Sequence, residues 1–195
     1  MPLCVQPQHD PAANRPELTE EQRRQDCERN AAKRWLPAYI PALLPYRSVL
    51  LGDDLYCYQR LCSLVAGLGA DFLFICKPSS HKTLYKQLPK RRIWSSGWVR
   101  TRNQHQQVEQ HRYQWIHNVR LRAGHDALKV TWIDFEICRN GERTYHNPFL
   151  ISLKVTADNV AEIAHTGRAS WKIEKRVVQL LGALGLQPQA QLADR

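Results

Sequence analysis

Val49–Asp54 (VLLGDD) decides the fold, because a short apolar strand ends there on two carboxylates. Apolar residues at helical spacing follow it, with Asp54 as the expected N-cap, and Gly67 and Gly69 end that helix. Asp71–Cys76 (DFLFIC) predicts a second buried strand. Two strands joined through one helix by short loops imply a right-handed crossover, so we expect an α/β fold with a parallel pair.

The rest of the N-terminal half divides by composition. Residues 1–16 are rich in Pro, Asn and Gln without periodicity, which predicts disorder. Residues 17–90 then hold an N-terminal helix, expected over residues 18–36, and the α/β core. Three prolines between residues 37 and 45 predict an irregular linker.

The pattern changes in the second half of the chain. Between residues 91 and 153 the hydrophobic period is two, which predicts a β-rich insertion and a return strand. Asn140-Gly141 marks a hairpin turn within it. Residues 154–195 predict a C-terminal helix, capped by Thr156, and a tail.

Charge is concentrated in one quarter of the chain. The formal net charge is +10, and residues 80–125 hold ten Lys or Arg against one acid, Glu109. Tyrosines and tryptophans are interleaved with these cations, a combination suited to phosphates and stacked bases. The alternative is a solvated face of a basic protein. The expected nucleic-acid contacts here are Arg91, Arg92, Arg100 and Arg102.

Other features limit the class of protein. No run approaches the roughly 20 apolar residues of a membrane helix, and the N-terminus has no apolar signal segment, so we expect no membrane association. The six cysteines have no paired CxxC spacing, which argues against a zinc ribbon. Reduced thiols in a cytoplasmic protein are the expectation.

Two separated carboxylates are the candidate site. Asp53 ends a strand of the expected parallel pair, at the edge where open α/β sheets bind ligands. Glu174 falls within the apolar arc of the C-terminal helix, where a glutamate is costly unless it is paired or bound to metal. The alternatives are helix capping by Asp53 and a rim position for Glu174. Together they predict a Mg²⁺ or Mn²⁺ site for phosphodiester chemistry, which usually needs a third carboxylate. Arg168 and Lys172 lie on the neighbouring helix face as further DNA contacts.

Three blocks carry a family resemblance: LLGDDLYCYQRLCSLVAGLGADFLFICKPSSHKTLYKQL, DALKVTWIDFEICRNGERTYHNPFLISL and TADNVAEIAHTGRASWKIE. In this order they resemble bacterial insertion-sequence transposases of the DDE type, in the branch with a β-rich insertion between the second and third acids. The resemblance implies a ribonuclease-H-like core and Mg²⁺-dependent cutting and joining of DNA at the element's ends. By motif Asp53 is the second catalytic acid, and Glu174 is the third, within Trp171-x-Ile173-Glu174. The resemblance leaves open whether the chain forms a homo-oligomer.

One departure shapes the functional expectation. The family's first Asp lies in a Leu-Asp-Gly-like block, and nothing before Asp53 resembles it. We therefore expect a truncated copy, inactive alone, with a partial ribonuclease-H-like core, a β-rich insertion and a C-terminal helix. The alternative is a non-catalytic remnant that binds nucleic acid through its basic region. A basic structural or ribosome-associated protein would explain the charge but not the acidic blocks.

Overall fold

A mixed six-stranded sheet organises the chain, as the computed structural model of residues 19–88 and 94–169 shows; the side chains of residues 22–27 are not described. The strands are β1 (Val49–Gly52), β2 (Asp71–Ile75), β3 (Ser95–Arg102), β4 (Val108–Arg120), β5 (Lys129–Arg139) and β6 (Glu142–Ile151). The helices are α1 (Glu20–Leu43), α2 (Gln59–Gly67), α3 (Lys82–Gln87) and α4, which covers residues 160–169. A 3-10 turn, Leu44–Tyr46, follows α1. The expected α/β class is confirmed.

The order across the sheet is β1-β2-β6-β5-β4-β3. β1 and β2 are parallel, as the strand–helix–strand pattern predicted, and every other pairing is antiparallel. The predicted hairpin joins β5 to β6, with Asn140 and Gly141 at positive φ (51° and 83°), the conformation of a type I′ turn. The β-rich segment therefore widens the same sheet on the far side of β2.

Two sequence expectations about helices are wrong. α1 does not stop before its prolines but continues through Pro37 and Pro41. Both prolines are exposed, whereas Leu36 and Ile40 are buried on another face, about 100° around the helix. Proline removes a helical N–H, and on this exposed side water can bond the carbonyls left free, while the buried pair holds the helix in place.

The second error concerns Asp54. α2 begins at Gln59, with Tyr58 at its N-cap and no side-chain cap hydrogen bond. Four residues separate Asp54 from the helix, so its carboxylate bonds elsewhere. At the start of α4 the hydrogen bond runs the other way from the one expected of a Thr156 cap. Asn159 Oδ1 accepts the backbone N–H of Thr156 at 2.7 Å. In a capping box, the side chain three residues after the N-cap accepts the N-cap N–H in this way.

Each face of the sheet has its own core. The first face carries Phe72, Phe74, Trp132 and Leu150, which pack against α1, α2 and α3. The second face carries Leu73, Tyr113, Ile133, Phe135 and Phe149, which pack with Val160 and Ala164 of α4. Gly167 lets α4 approach closely, since a Cβ there would lie 2.7 Å from Phe149. Among the described residues, no helix is both long and apolar enough to cross a bilayer.

Candidate metal and nucleic-acid site

Asp53 lies just past the C-terminal end of β1, and its side chain is exposed. The backbone N–H of Leu55 donates to Asp53 Oδ1 at 2.9 Å, which turns the chain away from the strand. Arg29 of α1 fixes the same turn, because its Nε donates to the Leu55 carbonyl at 3.2 Å. The carboxylate therefore stands in solvent on an anchored turn, at the edge where open α/β sheets bind ligands.

Asp54 has a structural position. Its Oδ1 accepts the backbone N–H of Lys77 at 2.6 Å and lies 3.3 Å from His81 Nε2. Burial acts to raise the pKa of this carboxyl, but His81, the Ser80 hydroxyl and the Lys77 N–H stabilise the anion and lower the pKa overall. Asp54 thus links the turn after β1 to the turn after β2.

Both aspartates line an open cleft of about 1080 Å³ between the ends of β1 and β2, α3 and the loop after β4. Cations dominate its charged lining: Arg29, Arg60, Lys77, Lys82 and Arg122. An exposed carboxylate among five cations suits a phosphate ligand better than an isolated carboxylate would, because the cations offset phosphate charge.

α4 extends toward the same edge of the sheet. The chain enters it from Ser152, whose hydroxyl donates to Asp71, the first residue of β2, at 2.8 Å. Gly167 lies against Phe149, which pairs with Ile75 at the last position of β2. The end of the described helix therefore lies over β4 to β6, level with the C-terminal end of β2, which borders the cleft.

Of the expected site residues, Asp53, Arg100, Arg102 and Arg168 belong to the described part of the chain. Arg168 is half-buried, with its guanidinium 4.9 Å from the centre of the Tyr145 ring. The other expected positions, and the start of the chain for which disorder was predicted, lie outside the described residues: Arg91, Arg92, Lys172, Glu174 and residues 1–16. Whether Asp53 and Glu174 share a metal ion stays a prediction.

The outer half of the first sheet face is a second candidate surface. We call it the open face and define it by Ser96, Trp98, Arg100, Arg102, Arg112, Gln114, Asp134, Glu136 and His146, which strand register places on one side. Trp98 is 58% exposed, with the Arg100 guanidinium 5.4 Å from its ring. Arg112 pairs with Glu136 at 3.2 Å, so cations and carboxylates are mixed here.

A buried polar cluster on the second face was missed from the sequence. Arg139 Nη2 donates to Glu109 Oε1 at 2.5 Å, and His111 Nε2 lies 3.4 Å from the other carboxylate oxygen. His111 Nδ1 is 3.2 Å from His165 Nε2 on α4. The Arg139 hydrogen bond outweighs burial and, with His111 and Asn103, lowers the pKa of Glu109 to about 2. Glu109 therefore ties the hairpin to β4 and is not a free surface acid.

A second missed cluster lies at the wall of the cleft, which Cys57 and His81 help to line. Sulfur atoms of Cys57 and Cys76 and a ring nitrogen of His81 all lie within 4.8 Å of one another. Both thiols are free and buried. A hydrogen bond with Cys76, and then burial, raise the pKa of Cys57 well above its ordinary value. The spacing of these residues in the sequence matches no short metal motif. Cys57 lies in the turn after β1, and Cys76 and His81 lie between β2 and α3.

Comparison with known proteins adds no family assignment. No protein-family model matches the chain, and no curated protein matches it significantly. The transposase resemblance therefore remains an interpretation of the three residue blocks, and function has to be argued from the geometry of the cleft and the open face.

Proposed function

We propose that this chain acts on DNA as a DDE-type transposase, with Asp53 and Glu174 as ligands of Mg²⁺ or Mn²⁺. The observation that carries the proposal is the exposed carboxylate of Asp53, which ends a parallel strand inside a cleft lined by five Lys or Arg side chains. Asp53 and Glu174 would hold a divalent ion there, and the ion would supply positive charge to stabilise a phosphodiester transition state.

A partial ribonuclease-H-like core is the fold that goes with this function. It is supported by the parallel β1–α2–β2 unit and by a helix, α4, that crosses the second face toward the edge where Asp53 lies. The β-rich segment fits an insertion between the second and third acids, because β3 to β6 lie between Asp53 and α4 in the chain.

Cutting by the isolated chain is not expected at a useful rate. Mg²⁺ demands near-ideal octahedral oxygen coordination, and the chain offers two assigned carboxylates where three are usual. Asp54 is a poor third ligand in the described structure, since Lys77 and His81 already engage its Oδ1. DNA binding that depends on a divalent ion is the activity the site supports directly.

DNA would contact the basic side chains around the cleft and beyond it. The proposed contacts are the expected ones: Arg91, Arg92, Arg100, Arg102, Arg168 and Lys172. Of these, Arg100 and Arg102 are exposed on β3, which supports their assignment. Homo-oligomer formation on DNA is part of the proposal, with no number of copies assigned.

The second candidate is a protein that binds nucleic acid without metal chemistry. The open face favours it, because the exposed Trp98 and neighbouring Arg100 form a stacking platform with adjacent positive charge. Binding of this kind depends on ionic strength but not on a divalent ion.

One experiment separates the two candidates. The affinity of the full chain for a short DNA duplex is measured at fixed ionic strength, with EDTA, with Ca²⁺ or with Mg²⁺. Ca²⁺ is included because it should support DNA binding without DNA cleavage. The transposase proposal expects tighter binding with the divalent ion, and expects this gain to vanish in Asp53→Asn and in Glu174→Gln. Asp158→Asn, which removes an exposed carboxylate outside the cleft lining, is the matched control. Equal affinity with EDTA and with metal would leave the metal-free alternative.

A further inference from the structure

We infer that Cys57, Cys76 and His81 form a zinc site that fastens the turn after β1 to the turn after β2. The three nitrogen and sulfur ligand atoms lie within 4.8 Å of one another. Zinc holds sulfur at about 2.3 Å and nitrogen at about 2.0 Å, so tetrahedral ligand atoms stand roughly 3.5–3.8 Å apart. A contraction of about 1 Å would therefore seat the ion.

His81 gives a separate indication that a ligand is needed. Its Nε2 atom is buried and has no hydrogen-bond partner. Asp54 Oδ1 stands 3.3 Å away, within ion-pair distance but outside hydrogen-bond geometry. A buried ring nitrogen that makes an ion-pair contact but no hydrogen bond is incompletely satisfied, and a metal ion beside it would complete its coordination.

The donor set selects the metal. Two thiolates and an imidazole suit a borderline-soft ion such as Zn²⁺, whereas Mg²⁺ prefers oxygen. The fourth position is open to a water molecule from the cleft, which Cys57 and His81 help to line. Cys57 and Cys76 are 1% and 0% exposed, so both thiolate ligands would be held out of bulk solvent. On binding, the two thiol protons leave to solvent.

The position of the ion has a consequence for the cleft. Cys57 lies four residues after Asp53, Cys76 directly follows β2, and His81 precedes α3. One ion at this point would fix three segments that line the cleft. It would be held whether or not the chain acts on DNA.

Cobalt provides the decisive probe. The full chain, with thiols reduced, is stripped of metal with a chelator and titrated with Co²⁺ and then Zn²⁺. We expect one equivalent of Co²⁺ to give a near-ultraviolet sulfur-to-cobalt band and strong visible bands of tetrahedral cobalt, both bleached by one equivalent of Zn²⁺. Cys138→Ser, which changes another buried thiol on β5, should leave these bands unchanged.

Cys57→Ser and Cys76→Ser should each remove or greatly weaken the sulfur band, and His81→Asn should lower zinc affinity at least tenfold. His81 is 11% exposed and contributes little to the hydrophobic core. Its variant therefore still tests the inference if a cysteine variant fails to fold. A reduced, folded chain without the sulfur–cobalt band would overturn the inference. So would a Cys57–Cys76 disulfide that forms while zinc is present, or unchanged zinc affinity in His81→Asn.

Discussion

Asp54 Oδ1 lies 2.6 Å from the backbone nitrogen of Lys77, so one hydrogen bond joins the turns that follow β1 and β2. This hydrogen bond explains why Asp54 does not cap α2, as its position in the sequence suggested. It leaves Asp53, its neighbour, as the exposed carboxylate of the cleft. The two adjacent aspartates thus have different positions, one holding the edge of the sheet and one facing solvent.

Asp54→Ala should lower the free energy of unfolding by about 0.5–1.5 kcal/mol, because it removes a hydrogen bond whose exposed donor, the Lys77 N–H, can then bond water. Urea denaturation measures this change in the free energy of unfolding, and a chelator is present so that no bound metal contributes to it. Because the folded pKa of Asp54 is lowered, its stabilisation is present above the unfolded pKa of 3.8 and lost as the pH falls below it. Asp126→Ala, at an exposed side chain, should change stability by less than about 0.5 kcal/mol. An Asp54→Ala chain as stable as wild type would show that the hydrogen bond contributes nothing.

Glu109→Gln should destabilise the chain by on the order of 1–3 kcal/mol at neutral pH, since it uncouples Arg139 and His111. Arg139 is 34% exposed and can turn to water, which keeps the loss below that of a fully buried pair. The folded pKa of about 2 lies below the ordinary value of 4.5, so the stabilisation is complete above pH 4.5 and fades toward pH 2. Denaturation curves of both chains should converge over that range. A difference that persists unchanged at the acid end would contradict the assignment.

Two glycines provide a matched pair of alanine substitutions. Gly167→Ala puts a Cβ 2.7 Å from the Phe149 ring and should cost about 1–3 kcal/mol as α4 is pushed from the sheet. Gly67→Ala, in the exposed last position of α2, meets nothing within 4 Å and should stabilise by about 0.5–1 kcal/mol. The midpoint temperature of thermal unfolding should fall in Gly167→Ala and rise in Gly67→Ala. A stable Gly167→Ala chain would mean that α4 does not pack this tightly.

The open face should contribute both charge and stacking to DNA binding. In Arg100→Ala/Arg102→Ala the slope of log K against log salt should become shallower by about 0.7–0.9 for each phosphate that is no longer neutralised. Trp98→Ala should weaken single-strand binding by about 1–3 kcal/mol without changing that slope, because stacking releases no counterions. Arg34→Ala, at an exposed position on α1, is the control. Unchanged slopes and affinities would make the open face an ordinary solvated surface.

Local patterns were sufficient for part of this structure. The apolar run of β1, the Gly67 stop of α2 and the Asn140-Gly141 turn each act over a few residues, so the parallel unit and the hairpin followed from the sequence. The burial of alternate β4 residues, from Glu109 to Trp115, likewise matches the period of two. The mixed sheet order did not follow, since it depends on which distant strands pair.

The missed features depend on tertiary packing. Helix α1 passes its prolines because Leu36 and Ile40 are buried against the core, and no local signal reports that. Cys57, Cys76 and His81 converge only once β1 and β2 lie side by side. Glu109 was counted as the single acid of a basic segment, whereas the fold buries it against Arg139 from another strand.

The central claim is that Asp53 and Glu174 bind one divalent site, and iron-directed cleavage of the polypeptide tests it most directly. Fe²⁺ replaces Mg²⁺, and ascorbate with peroxide then generates radicals that cut the backbone beside the bound ion. The account predicts paired cuts near residues 53 and 174, both suppressed by excess Mg²⁺ and both absent in Asp53→Asn. Iron held by Cys57 and Cys76 would give no cut near 174. Cutting near one carboxylate alone, or an unchanged pattern in Asp53→Asn, would contradict the shared site.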